Sequence, residues 1–437
     1  MRPRGMEAEP MAERDGTTRG AIGSRLRKAA AAFAVFLVTI ALAASAWWFR
    51  PWSEYSPAEV YAFSRVEDRA EPFRMMHLIY PYREIAAAPD HAPLPRAGRM
   101  LDPEAVLTDA GEPIALDAYA EANNATGLMV LSGGEVVLER YFNGESAADR
   151  HTSWSVAKSV VATLIGRALM EGAIASLDDS AATYAPDYAG TPYGEVSIRH
   201  LLMMSSGIDF DEDYATHGSD IRKLFFGTFF WNRDVDSIVR EHGPGGPERG
   251  AAFDYISSNT AVLAAVLRGA YGGPLADIAS EKLFVPIGAG GGTWLTDSQG
   301  GKEIGYCCVQ ITLEDYARLG RLYLDDGMAG DERIVPKGWA RFVADPPTPD
   351  HEPGPGGSDE QGYGQHFWLP DGADGEFYMA GFNGQIVWID VKRDVVVAMT
   401  GADRRWPAAR PDFVAMVRAL ARGAKALREG TREDEPA

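Results

Sequence analysis

The sequence is poor in cysteine: its only two, Cys307 and Cys308, are adjacent. Two neighbouring thiols cannot supply the four ligands of a structural zinc site, and no CxxC or HExxH motif accompanies them. We therefore expect neither a metal site nor a cofactor. We interpret the pair as two small buried residues on a strand. A vicinal disulfide is the alternative if the domain lies outside the cytoplasm.

Several nucleotide-binding and hydrolase motifs are also missing. The chain has no G-x-S-x-G, which excludes the nucleophile elbow of an α/β-hydrolase with a Ser-His-Asp triad. It has no GK[ST], and no G-x-G-x-x-G follows a strand and opens a helix. P-loop and Rossmann interpretations therefore fail.

Basic residues are scarce outside the N-terminus. The formal net charge is −20, but residues 1–50 carry +4, so the remaining chain carries −24. Because that remainder repels phosphate backbones, we expect no nucleic-acid partner. With 46% apolar and 24% charged residues, the chain has the profile of a globular protein, either one large domain with a subdomain or two domains. Its oligomeric state cannot be read from these features.

One uncharged run is long enough to cross a bilayer. Residues 29–49 (AAAAFAVFLVTIALAASAWWF) contain no charged side chain, and Trp47 and Trp48 lie where an interfacial aromatic belt is expected. Residues 1–28 form a basic lead-in that should stay cytoplasmic, so the rest of the chain is expected to be periplasmic or extracellular. The alternative is a cleaved signal peptide, which would make the protein secreted.

The remaining chain predicts an α+β fold. Residues 50–111 read as a Pro-rich arm, and residues 112–430 as the main domain, with a helical insertion at about 198–272. GLMVLSGGEVVLERYFNG (residues 127–144) predicts a hairpin, and EFYMA, QIVWID and DVVVAMT predict an antiparallel meander near the C-terminus. We expect the hairpin and the meander to form one sheet flanked by helices. The long Pro- and Gly-rich loop at 346–364 suggests a lid or mobile rim.

The first chemical candidate is Ser155 with Lys158, in the sequence HTSWSVAKSVV. Apolar residues recur at helical spacing after Ser155, so both side chains fall on one side of the first turn of a buried helix. Burial and the positive end of the helix dipole would lower the pKa of the lysine, and the N–H of Ser155 could serve an oxyanion. Taken alone, the motif fits a serine N-cap with a solvated lysine better than a catalytic pair.

Two further motifs follow downstream. In FDYISSNTAVL, Tyr255 and Ser257 precede a helix expected to begin near Asn259, and a tyrosine beside Lys158 could relay a proton. In AGFNGQ, glycines flank Phe382 and Asn383, so this strand edge could supply a second oxyanion donor. In the alternatives without a catalytic role, Tyr255 packs in the core, Ser257 caps the following helix, and the segment around Phe382 and Asn383 forms an ordinary hairpin turn.

In this order, the three motifs resemble the serine β-lactamase and penicillin-binding-protein superfamily. The phrases SWSVAKSVV, RHLLMMSSGIDF, FDYISSNTAVL, LEDYARLGRLYL and GFNGQIVWID are similar to its esterase-like and 6-aminohexanoate-dimer-hydrolase-like branch and span about residues 128–400. The resemblance implies a β-lactamase/transpeptidase-like fold with an inserted helical subdomain. It also implies Ser155 as acylated nucleophile, Lys158 as proton acceptor and Tyr255 as general acid/base, with Ser257 in the place of an asparagine.

The strand motif departs from penicillin-recognising relatives. Those carry Lys-Thr-Gly or His-x-Gly where this chain has Phe382, Asn383 and Gly384, so the cation that would meet a β-lactam carboxylate is missing. We therefore expect a membrane-tethered serine hydrolase acting on a small ester or amide. The alternatives are a DD-peptidase or β-lactamase activity, or a non-catalytic envelope protein that keeps the fold. His151, just before the helix, is interpreted as structural because Lys158 already fills the role of a base.

Overall fold

The computed structural model describes residues 14–53, 55–65, 69–109, 111–354, 361–406 and 410–433. It divides into two units, Met1–Ala62 and Phe63–Ala437. The predicted rim loop at 346–364 falls partly on residues 355–360, which lie outside the described residues.

The first unit contains one long apolar helix, α1 (Arg14–Phe49). Its segment Gly23–Phe49 is long and apolar enough to cross a membrane, and an 18-residue stretch within it has a mean hydropathy of 2.3. The uncharged run found in the sequence lies inside this segment. The helix begins earlier than that run, because the basic residues before it are also helical.

Thirteen further helices follow among the described residues. They are α2 (Pro57–Arg65), α3 (Ala70–Arg74), α4 (Met76–Ile79), α5 (Leu116–Ala122), α6 (Val156–Glu171), α7 (Ile198–Leu202), α8 (Asp220–Phe225), α9 (Val235–Val239), α10 (Ser257–Tyr271), α11 (Leu275–Ala279), α12 (Leu313–Leu324), α13 (Trp339–Val343) and α14 (Arg410–Glu433). Two π-helical turns, Phe226–Phe230 and Ser280–Phe284, continue α8 and α11.

The described strands are short. They are β1 (Tyr82–Ile85), β2 (Ala125–Ser132), β3 (Glu135–Tyr141), β4 (His151–Thr152), β5 (Gly292–Leu295), β6 (Val309–Ile311), β7 (Met328–Ala329), β8 (Glu332–Arg333), β9 (Gly362–Tyr363), β10 (Trp368–Leu369), β11 (Glu376–Gly381), β12 (Gln385–Asp390) and β13 (Val395–Gly401).

A seven-stranded antiparallel sheet in the order β3-β2-β13-β12-β11-β10-β9 forms the framework. It joins the predicted hairpin to the predicted meander through β2 and β13, where Val397 faces Val130. Gly133 and Gly134, with φ of +62° and +82°, form the tight hairpin turn, which needs positive φ at both central positions. The predicted α+β architecture is confirmed.

Helices cover both faces of this sheet. α14 and α5 pack on one face, and α12 and α6 on the other. Every residue of β2, β11, β12 and β13 is buried, as expected for strands covered on both sides. Thr312 caps α12 by accepting a hydrogen bond from the N–H of Asp315, and α6 ends at Gly172, whose φ is +75°.

A second sheet in the order β1-β5-β6-β4 was not predicted. Its first strand, Tyr82–Ile85, lies in the segment read as an irregular arm and pairs with Gly292–Leu295. β6 pairs with β4, the strand that leads into the nucleophile motif. This sheet therefore connects the arm to the segment that carries Ser155.

The stretch predicted as a helical insertion does contain mostly helices, α7 to α10, separated by turns. Its boundaries as a separate subdomain stay a prediction. Cys307 and Cys308 are buried, as expected, but they precede β6 rather than lie on a strand, and they form a vicinal disulfide. The predicted strand position was wrong, because the backbone turns sharply at Cys308, where φ is +75°; the alternative, a vicinal disulfide, is the one that the structure contains.

Candidate active site

Ser155 lies in a tight turn between β4 and α6. It occupies the N-cap position of the helix, and the preceding residue, Trp154, has a φ of +44°, an uncommon conformation for a bulky side chain. Ser153 anchors the turn: its N–H donates to the Val309 carbonyl (2.7 Å), and its hydroxyl accepts from the Val309 N–H (2.9 Å). The turn therefore holds Ser155 at the start of a buried helix.

Lys158 lies one turn into α6, against Ser155. Its Nζ is 3.0 Å from the Ser155 hydroxyl oxygen and 3.0 Å from the Tyr306 carbonyl oxygen, which accepts from it. Only 2% of the side chain is exposed. Burial lowers the pKa of Lys158 to about 8, although the nearby charge of Glu212 acts to raise it. Roughly a tenth of this amine is therefore neutral at pH 7, the form that a proton acceptor needs.

Tyr255 lies on the other side of the amine. The Lys158 Nζ is 5.1 Å from the centre of the Tyr255 ring and 5.7 Å from that of Tyr306. Tyr255 is half-buried against the rings of Tyr363 and Trp368. The structure thus places the predicted serine, Ser155, and the ring of the predicted tyrosine, Tyr255, at the amine of the predicted lysine, Lys158.

Ser257 is the first residue of α10, two positions earlier than expected. Its N–H and its hydroxyl both donate to the carboxylate of Glu212, at 2.9 Å and 2.5 Å, and the Tyr214 hydroxyl donates to the same carboxylate at 2.6 Å. Burial raises the pKa of Glu212, while the charge of Lys158 and these hydrogen bonds act to lower it. Ser257 is therefore directed at Glu212, which in turn acts electrostatically on Lys158.

Glu212 was missed in the sequence. It lies in an irregular acidic stretch, DEDY (residues 211–214), directly after the recognised phrase RHLLMMSSGIDF. Nothing in its spacing separates it from its acidic neighbours. The only available signal was the buried lysine itself, which needs a nearby counter-charge from some other part of the chain.

The strand edge at AGFNGQ lies against the nucleophile turn. A Cβ on Gly381 would be 2.3 Å from the Ser153 carbonyl oxygen, so only glycine permits this approach. Asn383 is buried with a φ of +64°, and its amide donates to the Asp403 carbonyl (2.7 Å), so the side chain stabilises its own turn. The amide nitrogen of Asn383 is therefore committed to tying this turn to the segment after β13.

Phe382 belongs to an aromatic wall beside Ser155. Its ring stacks on Tyr214 (5.4 Å between centroids) and lies edge-on to Trp154 (5.9 Å). Trp154 also contacts Phe73 (5.3 Å) and Phe225 (6.1 Å). This side of the site is thus lined by aromatic rings.

His151 has the contacts of a structural residue. It is fully buried, its Nδ1 lies 2.8 Å from the Glu145 carboxylate, and its Nε2 lies 3.2 Å from the Gly401 carbonyl oxygen. Burial alone would raise the pKa of Glu145, but the charge of His151 and hydrogen bonds hold it below its usual value. The pair ties β4 to the end of β13.

Residues 116–421 match the family described as Beta-lactamase. The chain belongs to the β-lactamase family. It is 29% identical over 338 residues to a 6-aminohexanoate-dimer hydrolase from Paenarthrobacter ureafaciens, covering 71% of this chain and 84% of that protein. This membership identifies it as a serine hydrolase of the amidase or esterase type, as predicted.

Solved structures share the fold. A protein from Bacillus anthracis, assigned as a 6-aminohexanoate-dimer hydrolase, matches with a TM-score of 0.71 at 23% identity, covering 80% of this chain and 93% of that one. EstCE1, a hydrolase with promiscuous acyltransferase activity, matches with a TM-score of 0.57 at 15% identity, covering 70% and 96%. At these identities the likeness shows the fold alone.

Proposed function

We propose that this β-lactamase-family hydrolase cleaves ester or amide bonds through an acyl-enzyme on Ser155. The observation that carries the proposal is the 3.0 Å contact between the Ser155 hydroxyl and the amine of Lys158, a lysine that burial keeps partly neutral. A serine hydroxyl is a weak nucleophile until a neighbour takes its proton, and this amine is in reach to do so.

In acylation, the neutral Lys158 amine accepts the Ser155 proton as the hydroxyl oxygen attacks the substrate carbonyl carbon. The N–H of Ser155, at the start of α6, and a backbone N–H from the strand edge at Phe382 would stabilise the oxyanion. Tyr255, beside the amine, donates a proton to the leaving group. In deacylation, water attacks the acyl carbon and the proton transfers reverse. Ser257 contributes by holding Glu212, which balances the charge that forms on Lys158.

The substrate is proposed to lack a carboxylate near the scissile bond. The aromatic wall around Phe382 offers no cation to meet one, which disfavours β-lactams and peptidoglycan stem peptides. The similarity to a 6-aminohexanoate-dimer hydrolase supports a linear amide, and an ester is proposed beside it because the same acyl-enzyme chemistry cleaves both bonds.

The protein is proposed to be tethered to a membrane by the segment Gly23–Phe49, with the catalytic domain outside the cytoplasm. Arg25, Arg27 and Lys28, at the N-terminal end of this segment, favour that orientation. Fractionation and N-terminal sequencing test this: an intact N-terminus in the membrane fraction supports an anchor, and a mature chain starting after residue 46 supports a cleaved signal.

A fluorophosphonate probe tests the catalytic assignment. We expect the probe to label Ser155, and Ser155→Ala to lose both labelling and hydrolysis of activated esters. Ser159→Ala, in the same helix but hydrogen-bonded to the His366 carbonyl, is the matched control. Full ester hydrolysis by Ser155→Ala would remove Ser155 from the mechanism, and a wild type that is never labelled would favour a non-catalytic binding protein. Nitrocefin and D-Ala-D-Ala peptides test the other two alternatives.

A further inference from the structure

The vicinal disulfide lies between two anchors of the proposed active site. On one side, the Tyr306 carbonyl accepts a hydrogen bond from Lys158 (3.0 Å). On the other, Val309 holds Ser153, two residues before the nucleophile, through two hydrogen bonds. Cys307 and Cys308 are the only residues that separate these anchors. The geometry of their backbone therefore fixes where Tyr306 lies relative to the nucleophile turn.

The backbone at this point is unusual. Cys308 has a φ of +75°, in the left-handed region that residues other than glycine seldom occupy. Neighbouring groups hold the turn: the Trp294 indole N–H donates to the Cys307 carbonyl (3.0 Å), and the Leu295 N–H donates to the Cys308 carbonyl (3.1 Å). Both cysteines are buried. Such conformations persist where surrounding structure enforces them, and they cluster at functional sites.

We propose that the Cys307–Cys308 disulfide is a positioning element that keeps the Tyr306 carbonyl on the Lys158 amine, and that opening the disulfide slows acylation of Ser155. The small ring that it closes limits the rotations available to the two cysteines. Without it, Cys308 can relax from the left-handed conformation, which carries the Tyr306 carbonyl away from Lys158. This inference rests on the proposed catalytic roles of Ser155 and Lys158.

The chemistry of opening is ordinary thiol–disulfide exchange with a dithiol reductant. One thiolate of the reagent attacks a cysteine sulfur, the S–S bond breaks, and a mixed disulfide forms. The second thiol of the reagent then displaces the protein thiol and leaves as a cyclic disulfide. Two electrons and two protons pass to the protein, so Cys307 and Cys308 become thiols and the reagent is oxidised.

The Tyr306 carbonyl is one of several groups that act on the Lys158 amine. The charge of Glu212 acts to raise the pKa of Lys158, and the centre of the Tyr255 ring lies 5.1 Å from the Lys158 Nζ. The charge of Lys158 in turn contributes to lowering the pKa of His366. A carbonyl acceptor favours the protonated amine. If that carbonyl moves away while burial is kept, the pKa of Lys158 falls further. The proposal thus predicts a slower plateau rate together with a pH midpoint displaced to lower pH.

The first test uses the full-length protein in detergent, before and after incubation with dithiothreitol. Thiol titration reports only this pair, because the chain contains no other cysteine. When two thiols appear, we expect the rate constant of the p-nitrophenyl ester burst to fall at least tenfold, in line with about 100-fold for misplacement of a catalytic group by about 1 Å. Reoxidation should restore it. An unchanged rate and midpoint with two free thiols would overturn the proposal.

The second test does not depend on access of the reagent to a buried bond. Cys307→Ala/Cys308→Ala should show the same slower acylation and lower midpoint, with no response to dithiothreitol. Thermal unfolding identifies a variant that merely fails to fold. In that case the change in acylation rate on reversible reduction of the wild type tests the positioning role of the disulfide. Labelling of Ser155 distinguishes failure of the proposed function from failure of this inference. If the oxidised wild type is not labelled, the proposed function fails. If the oxidised and reduced proteins are labelled at the same rate, only the positioning role of the disulfide fails.

Discussion

Replacing the buried lysine should separate activity from stability. Lys158→Met keeps a long unbranched side chain but removes the amine. We expect the variant to lose acylation of Ser155 entirely. We also expect it to be more stable than the wild type at pH 7, because burial disfavours the ammonium in the folded state.

The magnitude follows from the lowered pKa. Burial brings the pKa of Lys158 from 10.5 to about 8, which corresponds to about 3 kcal/mol of unfavourable free energy when the group is charged. Loss of the hydrogen bonds to the Ser155 hydroxyl and the Tyr306 carbonyl costs about 1 kcal/mol each. The net gain in the free energy of unfolding at pH 7 is therefore about 1 kcal/mol.

The pH dependence gives the sharper test. Below pH 8 the ammonium is present in folded and unfolded chains alike, so the free energy of unfolding of the wild type is lowered by the full cost of burying the charged amine. Between pH 8 and 10.5 the unfolded wild type binds more protons than the folded one, so its stability rises with pH. Above pH 10.5 the amine is neutral in both states, and only its hydrogen bonds contribute to the stability of the folded wild type. The variant should then be less stable than the wild type by about 2 kcal/mol.

Urea unfolding of both proteins at pH 7, 8, 9, 10 and 11 measures this difference. Titrating groups on which Lys158 does not act cancel in the comparison, whereas Glu212 loses the charge that lowers its pKa. Lys223→Met is the matched control, because the Lys223 side chain is 64% exposed, and we expect no stabilisation from it at pH 7. A Lys158→Met variant that is destabilised equally at every pH would show that burial does not neutralise this amine, and the proposed base would lose its support.

Three further outcomes are expected. The burst rate of acylation should rise about tenfold per pH unit up to about pH 8 and then level, since the proposed mechanism requires the neutral Lys158 amine; a flat profile from pH 6 to 9 in stopped-flow measurements would contradict this. Tyr255→Phe should lower amide turnover by about 100-fold or more, with a smaller effect on activated esters whose leaving groups need no proton; equal losses on both substrates would argue against proton donation. His151→Ala should lower the free energy of unfolding by about 3 kcal/mol in urea titrations, because it leaves Glu145 buried and unpaired; a displaced midpoint of the pH–rate profile would instead indicate a catalytic role for His151.

The sequence predicted the parts of the fold that local patterns encode. Alternating and continuous apolar runs gave the hairpin and the meander, and the paired glycines at 133 and 134 gave the turn between β2 and β3. The second sheet was missed because β1 is a short segment in a Pro-rich stretch, and it becomes a strand only by pairing with Gly292–Leu295, more than 200 residues away. No local pattern records such a pairing.

The candidate site divides in the same way. Ser155, Lys158 and Tyr255 were found because short motifs at helix starts preserve their spacing. Glu212 was missed because its relation to Lys158 depends on a loop with no periodicity. The disulfide was not favoured because adjacent cysteines can be bridged only in a special backbone conformation. At Cys308 the hydrogen bonds from Trp294 and Leu295 support that conformation together with the disulfide, and the cysteine pattern alone does not record those contacts.

A serine and a lysine three residues apart become reactive only when the lysine cannot reach water. In this chain α6 is buried along most of its length, so Lys158 has no solvated side to turn to. The residues that close over it come from distant segments: Tyr306 supplies a carbonyl, Tyr255 a ring, and Glu212 a charge. Burial alone would push the pKa of the amine lower still and leave it too weak a base, while Glu212 alone would keep it protonated. Their opposition places the pKa near 8, where roughly a tenth of the amine is neutral at pH 7 and its basicity is still high.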